Sequence, residues 1–201
     1  GGAGSGRTLI EHWNGTAWKP VPSPSPAAGA ALRGVAATSA GRAWAVGYTG
    51  GGSRTLILRW NGTAWKPVPS PSPGASSLLS GVAFISARGA WAVGSTGTVK
   101  SLIERWNGKA WKRVPSPSPR NSSLRGVAVT SARNAWAVGA ASGTTLMIVH
   151  WNGRAWKLVR SPRPEKFILD GVAATSARSA WAVGVSPPQT LIMRWNGTAW
   201  K

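Results

Sequence analysis

Residues 79–119 read LSGVAFISARGAWAVGSTGTVKSLIERWNGKAWKRVPSPSP, and this succession of motifs returns along the chain. Successive Trp-Asn-Gly tripeptides begin at Trp13, Trp60, Trp106, Trp151 and Trp195, at intervals of 47, 46, 45 and 44 residues. Within the stretch, Gly-Val-Ala-Phe-Ile-Ser leads through a short turn (Ala87 onward) to Ala-Trp-Ala-Val-Gly. A Gly/Ser/Thr loop, Ser-Leu-Ile-Glu-Arg-Trp, Asn-Gly and Ala-Trp-Lys-Arg-Val then follow. Each run has the length and the β-branched or aromatic content of a strand and is bounded by turn residues. A unit therefore reads as four strands, a to d. Four antiparallel strands in about 45 residues is the pattern of a β-propeller blade, whereas solenoid β-helices repeat at about 20 to 30 residues and helical repeats show a 3.6-residue period. The competing all-β architecture, a sandwich of hairpins, rarely repeats its sequence so closely.

The Ala-Trp-Ala-Val-Gly motif carries Trp44, Trp91, Trp136 and Trp181 and interleaves with the hairpins. Asn-Gly between two Trp-bearing runs predicts a type I′ c–d hairpin, in which both central residues need positive φ. The Pro-Ser-Pro-Ser-Pro stretch that follows strand d cannot stay in a sheet interior, and is expected to leave as an extended connector to the next unit. There are five c–d hairpins but four a–b pairs, so the chain reads as a half-blade over 7–22 and blades over 32–69, 79–116, 124–160 and 169–201. The expected architecture is one all-β propeller domain of about five blade positions, one incomplete. An a–b pair for the half-blade is either missing upstream or supplied by another chain.

The order Leu-x-Gly-Val-Ala, Ala-Trp-Ala-Val-Gly, Leu-Ile-x-x-Trp-Asn-Gly-x-Ala-Trp resembles the blades of sialidase-type and photosystem-assembly-factor-type propellers. The Trp-Asn-Gly hairpin is also similar to that of bacterial propeller lectins. The resemblance spans nearly the whole chain, its motifs are structural ones, and it implies a propeller fold. In place of the Asp-bearing turn of the sialidases and assembly factors, this chain has Trp-Asn-Gly.

With 26 Gly, 15 Pro and 14 Trp in 201 residues, little room is left for helix. Lys and Arg total 24 against 4 Asp and Glu, a formal charge of +20. Such an excess draws in polyanions: nucleic acid, anionic cell-wall polymers or acidic membrane surfaces. With no cysteine there is neither a disulfide framework nor a thiolate metal site. No segment approaches the roughly 18 apolar residues of a membrane span, and residues 1–6 lack the features of a signal peptide. The compartment stays open, with a secreted or cell-surface location the expectation.

An enzyme is not expected. Glu11, Glu104, Glu165 and Asp170 are scattered over different units, whereas acid/base hydrolysis needs two carboxylates in one site. His12 and His150 share a slot that holds Arg59, Arg105 and Arg194 in other units, which reads as solvent-facing and as no metal site. Residues 50–52 lack the Lys-Ser/Thr and helix of a phosphate loop, and no cofactor is expected.

All 14 Trp fall on three repeat slots, so a structural role, as blade packing or interblade filling, is available to each. Trp60, Trp106 and Trp151 are the candidates for stacking on a glycan in shallow pockets between blades. In a four-stranded meander the a–b and c–d turns share one end of the blade. Arg88, Arg133 and Arg178 fall in the a–b turns and Lys109 and Arg154 in the c–d turns, making them the candidate anion-binding residues. Three roles are open: a polyanion-binding module, a lectin-like module, and a repeat that self-associates through its incomplete blade.

Overall fold

The computed structural model describes residues 6–86, 88–97, 100–142, 145–161, 167–186 and 188–201; Ala87 and Glu165 lie outside them. Strands β1 (Glu11–Trp13) and β2 (Trp18–Pro20) form the half-blade hairpin. The first full blade is β3 (Ala31–Ser39), β4 (Arg42–Thr49), β5 (Arg54–Trp60) and β6 (Trp65–Pro67). The second is β7 (Ser77–Ser86), β8 (Gly89–Thr96), β9 (Lys100–Trp106) and β10 (Trp111–Arg113). The third is β11 (Ser123–Ser131), β12 (Asn134–Ala141), β13 (Thr145–Trp151) and β14 (Trp156–Leu158). The fourth is β15 (Ile168–Ser176), β16 (Ser179–Ser186) and β17 (Gln189–Trp195), its outer edge reduced to a bridge between Trp195 and Trp200. Every sheet is an antiparallel meander in chain order. Among the described residues the helical content is a single 3-10 turn at Gly50–Gly52.

The first strands β3, β7, β11 and β15 pack against one another in succession, which makes them the inner strands of a propeller. They carry a bulge near their start: Leu32 pairs with Gly47 and Gly34 with Val46, leaving Arg33 unpaired, and Ser80, Arg125 and Asp170 are displaced in the same way. The bulge explains the glycine that ends Ala-Trp-Ala-Val-Gly. A Cβ on Gly47, Gly94, Gly139 or Gly184 would overlap the carbonyl oxygen of Ala31, Leu78, Ser123 or Ile168.

The core lies between blades. Each blade presents one face with a b-strand Trp, a Val and a c-strand Ile to the next blade, which answers with Leu, Ala and its two hairpin Trp. Trp44, Val46 and Ile57 thus meet Leu79, Ala90, Leu102, Trp106 and Trp111, and the same arrangement joins the second blade to the third and the third to the fourth. Trp44 packs on Trp106 and Trp111 with centroids 5.1 Å away in both cases, the second edge-on at 78°. Trp91 and Trp136 repeat the trio with the hairpin Trp of the blade that follows. Such contacts contribute roughly 0.5–1.5 kcal/mol per pair beyond area burial.

Both ends of the arc are uncovered. On the fourth blade Trp181, Val183 and Ile192 are 47, 46 and 66 % exposed, while their counterparts Trp44, Val46 and Ile57 are at most 2 % exposed. On the half-blade Leu9, Trp13 and Trp18 are 69, 48 and 64 % exposed. The half-blade's other side packs on the first blade through Ile10 and Val21.

One local expectation needs correction. The c–d link is a four-residue loop rather than a type I′ turn. Trp60 pairs with Trp65, the Asn61 amide donates to the Ala64 carbonyl, and only Gly62 of the loop has positive φ. The Asn Oδ1 takes over the work by accepting from the amides two and three residues on, at 3.0 and 2.9 Å in this blade. The Pro-Ser-Pro-Ser-Pro connectors lie outside the strands, as expected, and are also tied down. Thr55 Oγ1 bonds the hydroxyls of Ser70 and Ser72 and the carbonyl of Pro71, which straps the Pro-Ser-Pro-Ser-Pro run to the start of strand c. Thr8 and Ser101 repeat the strap.

Candidate functional site: a basic turn face

Two turns of each blade are fixed against one another. The Arg88, Arg133 and Arg178 amides each donate to a Ser hydroxyl two residues back at 3.2 Å, which sets the a–b turn. The arginine stems then lie on the glycine of the c–d loop: a Cβ on Gly153 would stand 3.1 Å from Arg133 Cγ, and one on Gly197 would stand 3.3 Å from Arg178 Cγ. The first hairpin Trp bolts the two turns together, with Nε1 donating to the a–b carbonyl: Trp60 to Ala40 at 2.8 Å, Trp151 to Ala132 and Trp195 to Ala177 at 3.1 Å. The a–b and c–d turns therefore share one end of every blade. Arg88 with Lys109, Arg133 with Arg154, and Arg178 are all exposed there.

Further cations approach this end along the hairpins. Arg59 pairs in register with Lys66, and Arg105 with Lys112; Arg194 and Lys201 exchange backbone hydrogen bonds. The first member of each pair is not simply solvent-facing, as its slot suggested. Arg59 lies over Trp44 at 5.7 Å, Arg105 over Trp91 at 5.3 Å and Arg194 over Trp181 at 5.5 Å, capping the indole by cation–π attraction. In the third blade His150 takes the place, with its ring 4.3 Å from that of Trp136 and Nε2 at 2.7 Å from Asn134 Oδ1. Burial lowers its pKa below the usual histidine value, so it is neutral at pH 7 and adds no charge.

No carboxylate among the described residues lies in these turns. Glu11 is on the outer hairpin, Glu104 is buried inside a blade interface, and Asp170 is paired with Arg125 near the axis. The fields of the turn cations thus add.

Trp106 and Trp151 do not serve as glycan platforms: they are 9 and 5 % exposed, with their rings against the other Trp of the interface. Trp60 is half-buried and committed through Nε1 to Ala40. A groove at the opposite end, about 840 Å³, is lined by residues that include Thr49, Arg54, Pro67, Ser70 and Ser72 and by none of the hairpin Trp. The Trp-to-turn bond was not anticipated, although a Trp beside every Asn-Gly loop was its trace in the sequence.

No family model matches the chain, and no curated protein matches it. Solved structures do. A fucose-specific lectin from Aleuria aurantia superposes with a TM-score of 0.63 at 14 % identity over 96 % of this chain and 68 % of its own. YCF48 from Cyanidioschyzon merolae gives 0.60 at 17 % identity over 96 % of this chain and 66 % of its own. YCF48 bound to D1 peptide gives 0.59 at 17 % over 93 and 58 %. The chain is a β-propeller, similar in fold to the Aleuria aurantia lectin and to YCF48, and it spans about three fifths to two thirds of the YCF48 chains it matches. The lectin is specific for fucose, and one of the YCF48 structures holds a D1 peptide.

Proposed function

We propose that this chain is a non-enzymatic binding module whose basic turn face engages an anionic polymer or surface. The observation that carries the reading is the recurrence of like-charged cross-strand pairs, Arg59 with Lys66 and Arg105 with Lys112, at the end of the blade that also holds Arg88, Lys109, Arg133, Arg154 and Arg178. Like charges directly opposite one another in a sheet are destabilising. An anion laid across the turns removes that cost and gains one weak interaction per blade, which multivalency multiplies.

The test is salt-dependent binding of duplex DNA and heparin by the full chain and by the triple variant Arg88→Ser, Arg133→Ser, Arg178→Ser. Wild-type affinity should fall steeply with salt, and the variant should lower the slope of log K against log salt for DNA by roughly 3, about 0.9 for each phosphate that is no longer neutralised. An unchanged slope and affinity in a folded variant removes the reading.

A second reading, self-association, is supported by the uncovered faces at the two ends of the arc. The fourth blade offers Trp181, Val183 and Ile192, the set that elsewhere meets a hairpin Trp pair, and the half-blade offers such a pair in Trp13 and Trp18.

A further inference from the structure

At the end of the molecule away from the turns, the four bulge residues Arg33, Ser80, Arg125 and Asp170 come together. The cause lies in the backbone. Inner strands approach through the glycine that follows each bulge: a Cβ on Gly34 would stand 2.7 Å from the Ser80 carbonyl oxygen, one on Gly81 2.8 Å from that of Arg125, and one on Gly126 3.1 Å from that of Asp170. Held so tightly, the blades aim four equivalent side chains into one cavity of about 480 Å³, which Ser95 and Ser123 also line. That volume falls within the range of small-ligand sites.

The chemistry of this cavity is specific. Arg125 Nη1 bonds Asp170 Oδ1 at 2.5 Å, so one cation and one anion are mutually satisfied. Arg33 has no ion-pair partner among the described residues, and its guanidinium lies over the Tyr48 ring at 5.3 Å. The hydroxyls of Ser80, Ser95 and Ser123 make no hydrogen bond among the described residues. Two guanidiniums against one carboxylate leave a single positive charge. The free hydroxyls both donate and accept, and the remaining lone pairs of Asp170 accept.

We propose that this axial cavity is a binding site for a singly charged oxyanion with neighbouring hydroxyl groups, the chemistry shared by a hexuronate and a polyol phosphodiester. Arg33 takes the oxyanion through a charge-assisted fork. Ser80, Ser95, Ser123 and Asp170 take the hydroxyls. The site is independent of the turn face, which lies at the opposite end.

The experiment is calorimetric titration of the full chain, at about 150 mM salt, with four probes: D-glucuronate, glycerophosphoglycerol, D-glucose and acetate. The first two distinguish the sources of the oxyanion, the third lacks the charge and the fourth lacks the hydroxyls. The expected result is saturable binding of glucuronate, glycerophosphoglycerol or both, tighter than either control, and weakened at least about tenfold by Arg33→Ser. The repeat itself carries Ser80 at this slot, so the substitution is one the blade accepts. The triple turn-face variant should bind these probes as the wild type does, and Arg33→Ser should keep the wild-type salt slope for DNA. Failure of both oxyanion probes to bind, a control that binds equally well, or full affinity in Arg33→Ser overturns the proposal, whatever the turn face does.

Discussion

Glu104 is the residue most at odds with its place. It occupies strand β9 opposite Ala92 and Arg113, is fully buried, and neither carboxylate oxygen has a partner among the described residues. At the same repeat slot stand Leu58, Val149 and Met193. Burial pushes its pKa from the ordinary 4.5 to about 8, so the carboxyl is mostly protonated at pH 7. The folded chain holds a proton that the unfolded chain releases, and stability therefore falls as pH rises from about 4.5 to about 8. The loss from this group across that window is at most about 5 kcal/mol, and its contribution is level on either side. Glu104→Leu should raise the urea midpoint at pH 9 by more than at pH 5 and flatten the profile between them; denaturant titrations at several pH values check this. The anomaly was visible in the sequence as a carboxylate in a hydrophobic slot. What hid its meaning was Glu11 in the equivalent position of the half-blade, because that residue is exposed and made the slot look polar.

At the scale of elements, strand existence and order were legible because four motifs recur with fixed spacing, and the tight b-strand glycine has a steric cause in the bulge. Hairpin type was not legible. Asn-Gly suggests a two-residue turn, but the flanking Trp must face each other across the ladder, and pairing Trp60 with Trp65 forces the loop to four residues. The straps were hidden for a similar reason. Proline content dictates an extended connector, and it masks the serines between the prolines, which are spaced to bring two hydroxyls to one Thr. Thr55 is 8 % exposed and its Oγ1 reaches Ser70 and Ser72 at 2.7 and 2.8 Å. Thr55→Val keeps the shape and loses these bonds, so it should cost about 1 to 3 kcal/mol. Amide exchange at Val68, whose N–H bonds Ile57 beside the strap, should quicken with the connector's release.

For the molecule as a whole, the candidate site was partly legible. Motif register placed Arg88, Arg133 and Arg178 in a–b turns and brought them to the end that holds Lys109 and Arg154, because a meander has only two ends. The glycan assignment of Trp106 and Trp151 failed on packing: a blade of this size cannot cover its own indoles, and the neighbour that covers them takes the stacking face. The axial cluster was invisible, since a bulge that shifts one residue per inner strand leaves no mark beyond the Gly that follows it. The end faces carry a prediction of their own. If they meet between molecules, light scattering should report mass growing with protein concentration, by a heterologous contact that closes into rings or runs on as filaments. The double variant Trp181→Ser, Ile192→Ser should then stay monomeric; a wild type of constant monomer mass removes self-association.

Because every blade has a tongue on one side and a groove on the other, units join in a single sense, like boards in a floor. Removing one 45- or 46-residue length, or copying it, leaves each surviving joint matched to its mate. The gene can therefore lengthen or shorten by whole units without any joint being recut, and the number of basic turns offered to a partner changes in step.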